Sequence, residues 1–259
     1  LPFYQAAGPI FITDDTPHED WLTEQQLAQQ SFYWKHYQQH LLERRRWSPE
    51  AVARLHQSTT RVVNQLDCPW KKSVRKTRGL VVGYVQSGKT AHFTGVIAKA
   101  IDAGYRLIIV LSGTIDLLRN QTQRRLDMEL VGKENIALDA ADELRDYAND
   151  ESWDDDFIQF GARPSKLGSI DIVRLTRERD DFQSLAAGIS ALEIEKIHPH
   201  KPLYEQENLA RAKARLVVIK KNSNRLQKLL DDLNAVSSAS RLEVPALIID
   251  DESDQASVN

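Results

Sequence analysis

Leu80-Val81-Val82-Gly83-Tyr84-Val85-Gln86-Ser87-Gly88-Lys89-Thr90 joins a short apolar run to the pattern G-x-x-x-x-G-K-[ST], with Gly83, Gly88, Lys89 and Thr90 at its fixed positions. Those residue types suit one chemistry. Glycines let the backbone curl so that successive N–H groups, here from Gly83 through Gln86, Ser87 and Gly88, face phosphate oxygens. A lysine ammonium at position 89 neutralises β/γ-phosphate charge, and a Thr90 hydroxyl can ligate magnesium. A chance match is the competing reading. Placement tells against it: the pattern follows a Val-rich run that reads as a strand and opens an amphipathic helix. The stretch predicts a site for ATP and Mg2+.

Downstream, a helix is expected from Lys89 to about Ala103, with Phe93, Val96, Ile97, Ala100 and Ile101 on one face and Gly104 to cap its end. Further short apolar runs follow at Leu107–Leu111, Ile170–Leu175, Leu216–Ile219 and Ala246–Ile249. With Leu80–Val85 they make five candidate strands, rich in Val, Ile and Leu as strands buried on both faces are. Alternation with helices predicts an α/β fold: a RecA-like P-loop parallel sheet flanked by helices. The acidic stretch 137–156 reads as a loop-like insertion.

Upstream, residues 19–46 carry apolar side chains spaced by three or four and end in the basic run Glu43–Arg46. Ser48-Pro49-Glu50 then reads as a cap with proline in the first turn of a second helix. The organisation expected is an N-terminal helical region and linker over 1–78 and a first RecA-like domain over 79–259. The chain has 259 residues, 41% hydrophobic and 27% charged, with a net charge of −3 and a single cysteine, Cys68. It has no apolar run of membrane-spanning length and no secretory signal, and one cysteine cannot form an internal disulfide. A cytoplasmic protein without a membrane partner is expected. A nucleic-acid contact would need a local basic patch, because the global charge supplies none.

A second carboxylate-bearing motif stands at the far end. Ala246-Leu247-Ile248-Ile249-Asp250-Asp251-Glu252-Ser253-Asp254 is an apolar strand running into an acidic cluster. In P-loop ATPases the strand-end aspartate holds Mg2+ and the next glutamate polarises the attacking water, which assigns Asp251 and Glu252 to those roles. Asp250 competes for the first role, since a shift of one residue turns a side chain to the other face. A solvated acidic turn is the bland reading, and the upstream phosphate loop weighs against it. After the second strand, Thr114, Arg119 and Gln121 sit around a helix start that can hold a nucleic-acid phosphate, as can Lys221 after the strand Leu216–Ile219. An exposed basic helix or turn without ligand explains them too.

Gly83–Thr90, the Thr114-x-x-x-Leu118-x-x-Gln121 stretch and Asp251-Glu252-Ser253-Asp254 resemble, in order, motifs I, Ia and II of the first RecA-like domain of superfamily 2 helicases. More narrowly, Val85–Thr90, Leu107–Leu126, Val217–Leu226 and Asp250–Ser257 are similar to a bacterial family of Z-one domain endonucleases. The resemblance covers roughly 79–259. It implies a DNA-acting, ATP-hydrolysing motor, linked to restriction-modification or phage defence and to partner proteins of such systems. A second RecA-like or Z-one region would follow Asn259, making this chain a fragment that binds ATP better than it turns it over. A motif VI arginine finger and any nuclease site would lie in that region.

The competing reading is a non-motor P-loop ATPase that switches a partner's affinity. A GTPase would need Asn-Lys-x-Asp, and a transporter ATPase would need a Gly-Gly-Gln signature where this chain has Gly113-Thr114. A vestigial ATPase fits poorly with intact Lys89, Thr90, Asp251 and Glu252. No Asp…Glu-x-Lys nuclease set is legible around Asp171–Arg174.

Overall fold

A computed structural model of the chain describes residues 20–29, 31–72, 77–82, 88–137, 147, 149–179, 181–182, 194–236 and 242–253. Four parallel strands form its sheet: β1 (Leu107–Ser112), β2 (Ile172–Arg174), β3 (Ala214–Lys220) and β4 (Ala246–Asp250), in the order β2-β3-β1-β4. Register pairs Ile109 with Val217 on one side and with Ile248 on the other. Side chains alternate between faces, so the period of two divides the apolar residues into two layers. Ile108, Val110, Leu216, Val218 and Leu247 join one cluster, and Ile109, Val217 and Ile219 join another. Both faces of β1 and β3 are therefore covered, which explains their unbroken apolar spelling.

Helices α1 (Glu24–Gln29), α2 (Phe32–Glu43), α3 (Pro49–Gln65) and α4 (Lys89–Ala103) lie on the first face, together with a π-helical turn, Asp127–Val131, that continues α5 (Asp116–Leu126). Short α6 (Gly132–Ile136) and α7 (Gln206–Leu209) lie in connections, and α8 (Ser223–Ala235) covers the second face through Leu229. The N-terminal helices share one continuous core with the sheet: Trp34, Tyr37 and Val63 belong to the same cluster as Ile97, Ile101, Ile108 and Val110. Among the described residues no helix is long and apolar enough to cross a membrane.

Several boundaries follow the sequence pattern. The Ser48 hydroxyl accepts from the Ala51 N–H at 3.2 Å with Pro49 in the first turn, and α4 ends at Gly104, whose φ of +122° a side chain would oppose. Others differ. The stretch expected to be one helix over 19–46 is two helices, because Asp102 at the end of α4 accepts from the N–H groups of Tyr33 and Trp34, both at 2.9 Å, and so starts α2. Of the first expected strand, Leu80–Val85, only Leu80–Val82 are described: residues 77–82 form no strand, and Leu80 and Val82 are 79% and 86% exposed. No described strand pairs with the outer edge of β4. The described residues of 147–156 carry no helix or strand, as expected of a loop-like stretch, yet part of it is packed. Tyr147 is buried and donates to Asp127 at 2.7 Å, while Asp150 accepts two bonds from the Arg124 guanidinium at 2.8 and 3.0 Å.

Candidate nucleotide site

The start of α4 and the end of β4 build the site. Gly88 precedes α4 in the left-handed region, φ +82°, which only glycine enters at little cost. Space does not add to this requirement, since a Cβ there would stand 3.6 Å from the tip of the Trp47 indole, an ordinary contact. Lys89 is exposed and Thr90 half-buried in the first turn of α4. Gly83, Gln86 and Ser87 lie outside the described residues.

At the end of β4 the Asp251 N–H donates to the Leu111 carbonyl at 2.9 Å, extending the ladder by one residue. Burial pushes the Asp251 carboxyl up from the ordinary range, the neighbouring Glu252 charge adds to this, and the Lys89 and Lys221 ammonium groups oppose it. The lysine of the glycine-rich motif thus acts on the aspartate of the acidic motif, 162 positions apart in sequence by their numbering, 251 minus 89. Glu252 holds φ +56°, a left-handed conformation that costs a non-glycine residue about 1 kcal/mol or more and concentrates at functional turns. Its N–H donates to the Asp251 carboxylate at 3.1 Å.

Lys221 locks this turn. Its ammonium meets the Asp250 carboxylate at 2.6 Å and donates to the Glu252 carbonyl at 2.7 Å, and its N–H reaches the Gly113 carbonyl at 3.2 Å. Its side chain is only 5% exposed, so the expectation that it meets nucleic acid is corrected: it ties together the ends of β1, β3 and β4. Asp250 is engaged in the same contact, which leaves Asp251, whose carboxylate feels the Lys89 charge, and the adjacent Glu252. These oxygens and the Thr90 hydroxyl are hard donors, of the kind Mg2+ takes in small number beside substrate phosphates.

Arg119 is corrected likewise. It is 1% exposed, donating through Nε to the Val218 carbonyl at 3.0 Å and through its terminal nitrogens to the Glu178 carbonyl at 2.7 Å and Gln123 at 3.1 Å. The guanidinium therefore fastens α5 to β3 and to the chain after β2. Thr114 and Gln121 are exposed on the same rim. Lys220, Asn222, Asn224, Arg225, Gln227 and Lys228 line a shallow groove at the start of α8. The contact of Trp47 with Gly88 is one that sequence spacing does not show, because the packing of α2 and α3 on α4 makes it. No protein-family model, no curated protein and no solved structure matches the chain.

Proposed function

We propose that this chain is the ATP-binding, ATP-hydrolysing part of a helicase-like superfamily 2 motor of RecA-like fold, acting on DNA in the cytoplasm. We place it in a bacterial restriction or phage-defence system of the Z-one endonuclease type. The observation that carries the reading is the Asp251–Glu252 turn at the C-terminal end of the parallel strand β4, where open α/β sheets take their ligands, with the Lys89 charge at the start of α4 favouring the ionised Asp251 carboxylate. Main-chain amides at the start of α4 and the Lys89 ammonium would bind the triphosphate. Asp251 and Thr90 would hold Mg2+, which when bound neutralises charge on the β- and γ-oxygens. Glu252 would orient the attacking water and accept its proton, with Lys221 fixing the turn that carries it. Thr114, Gln121 and the cationic groove at the start of α8 would receive the DNA backbone.

A second reading, a non-motor ATPase that switches a partner protein, is favoured by one observation. Two of the four side chains expected at DNA, Arg119 and Lys221, are engaged internally. The test is ATP hydrolysis by the natural full-length protein, with and without duplex and single-stranded DNA, beside Lys89→Ala and Glu252→Gln. The motor reading expects DNA to stimulate turnover and both substitutions to abolish it. ATP turnover indifferent to DNA would move the switch reading ahead, and unchanged turnover in Lys89→Ala would end both.

A further inference from the structure

Nothing in the nucleotide site accounts for the opposite end of the sheet, where the chain gathers positive charge. Residues 161–169 carry Arg163 and Lys166, and residues 210–215 carry Arg211, Lys213 and Arg215, with no Asp or Glu in either stretch of a chain whose net charge is −3. The fold brings the two stretches together on one residue. Asp171, buried just ahead of β2, accepts from the Ser165 N–H and hydroxyl, both at 2.9 Å, while its carbonyl accepts from the Ala214 N–H at 3.0 Å as β3 begins. Lys166 and Lys213 each stand one position from these bonded residues. Both backbones are fastened. Pro164 beside Arg163 is buried, and so is Ala212 between Arg211 and Lys213. The Lys166 and Ser169 N–H groups close the first turn on the Arg163 and Pro164 carbonyls, at 2.8 and 2.9 Å. Arg163, Lys166, Arg211 and Lys213 are exposed, and among the described residues none of them has an ion-pair partner. Arg215 is instead buried, in the field of the Glu195 carboxylate.

We propose that this face is a second nucleic-acid contact, on which the four cations hold phosphates of a DNA duplex. The inference rests on the DNA half of the reading above and puts a contact where that reading has none. Strand β3, seven residues long, stands between it and the turn that Lys221 holds, a span of about 20 Å. Charge complementarity selects a polyanion, and the surroundings select its phosphate backbone. Neither stretch contains an aromatic ring on which a base could stack, so the contact follows charge and not sequence. Duplex DNA, with one charge per about 1.7 Å of axis, is a denser source of phosphates than a single strand. The fastened backbones already hold the cations on one face, which lowers the ordering that binding requires.

Fluorescence anisotropy of a labelled duplex is measured on the natural full-length protein across about 50 to 200 mM salt. The variants are Arg163→Gln, Lys166→Gln, Arg211→Gln and Lys213→Gln together, the milder pair Lys166→Gln and Lys213→Gln, and Lys220→Gln with Lys228→Gln in the groove at α8. Thermal melting and Mg-ATP binding first show that each is folded with its nucleotide site intact. Each phosphate contact contributes about 0.9 to the slope of log affinity against log salt, so the fourfold variant is expected to lose about 3 to 4 of that slope and the milder pair about half as much. Wild-type slopes in both would show cations that only meet water, and would overturn the proposal. If Lys220→Gln with Lys228→Gln alone lost slope, the proposal would fall while the DNA reading stood. Loss of binding to phosphatidylserine vesicles with unchanged duplex affinity would assign the face to a lipid surface and overturn it as well. A wild type that hydrolyses ATP yet binds neither duplex nor single-stranded DNA would overturn both this contact and the DNA half of the reading.

Discussion

Replacing Lys99 by methionine should remove a pH dependence of stability that the wild type shows between pH 7 and 9. Lys99 is 1% exposed at the junction of α2, α3 and α4. Its Nζ lies 2.6 Å from the His56 carbonyl, 2.5 Å from the Thr60 hydroxyl, 3.1 Å from His56 Nδ1 and 4.1 Å from the centre of the Trp34 ring. The neighbouring charge is Asp102, on α4 itself. Burial is the dominant cause that lowers Lys99 from 10.5 to about 7, and Asp102 opposes it. A neutral amine is well served here, donating twice to the oxygens and accepting from His56 Nδ1 in the appropriate tautomer. The folded pKa is depressed, so the unfolded chain binds more protons between the two values and stability rises with pH across that window. Integrated from pH 7 to 9 at about 1.4 kcal/mol per unit, the rise is roughly 2 kcal/mol. The Trp34 face favours the cation and trims this by up to about 1 kcal/mol. Urea unfolding followed by tryptophan fluorescence, on wild type and Lys99→Met, measures the difference and cancels groups common to both. In the variant the Thr60 hydroxyl still donates to the His56 carbonyl at 2.8 Å, so that oxygen keeps a donor, while the half-buried His56 Nδ1 loses the amine. Equal pH slopes for the two proteins would refute the reasoning.

Arg119→Met should cost about 3 to 5 kcal/mol in chemical denaturation, since it strands the Val218 and Glu178 carbonyls and removes one of the two guanidinium groups, Arg119 and Arg225, that stand 3.9 Å from Asp181. A selective loss of DNA affinity with unchanged stability would contradict that structural role. Gly95→Val should destabilise by about 2 to 3 kcal/mol, because even a Cβ there stands 3.1 Å from both Trp34 and the Thr59 methyl. A melting temperature within a degree of wild type would show that α3 and α4 can separate to make room. Lys221→Met should lower ATP turnover more than tenfold while ATP affinity changes little, because it frees the turn that carries Glu252. Steady-state kinetics beside calorimetric ATP binding would check this, and parallel losses in both would point to a site that has collapsed.

Local patterns made much of the molecule legible from sequence. Lys89–Ala103 and Pro49–Gln65 were readable as helices because capping and a 3.6-residue period are written within a few positions. The runs starting at 107, 170, 216 and 246 announced strands because both faces of a parallel sheet demand apolar residues. Leu80–Val82 spell the same signal yet form no strand, since apolar spelling states what a segment would bury and not whether a neighbour exists to pair with it.

What the sequence determined by itself is the local chemistry: an α/β alternation, a glycine-rich turn ahead of a helix, and an acidic strand end. The tertiary structure decided which charged side chains remain for ligands. Arg119 and Lys221 spell as surface cations, and their burial against carbonyls and carboxylates follows from contacts across β1, β3 and β4 that no local spacing encodes. The same holds for Trp47 and Gly88, 41 positions apart by number, 88 minus 47, which meet because α2 and α3 pack on α4. Periodicity reports which face of a segment seeks burial, whereas the identity of the surface that covers it is a property of the whole assembled core.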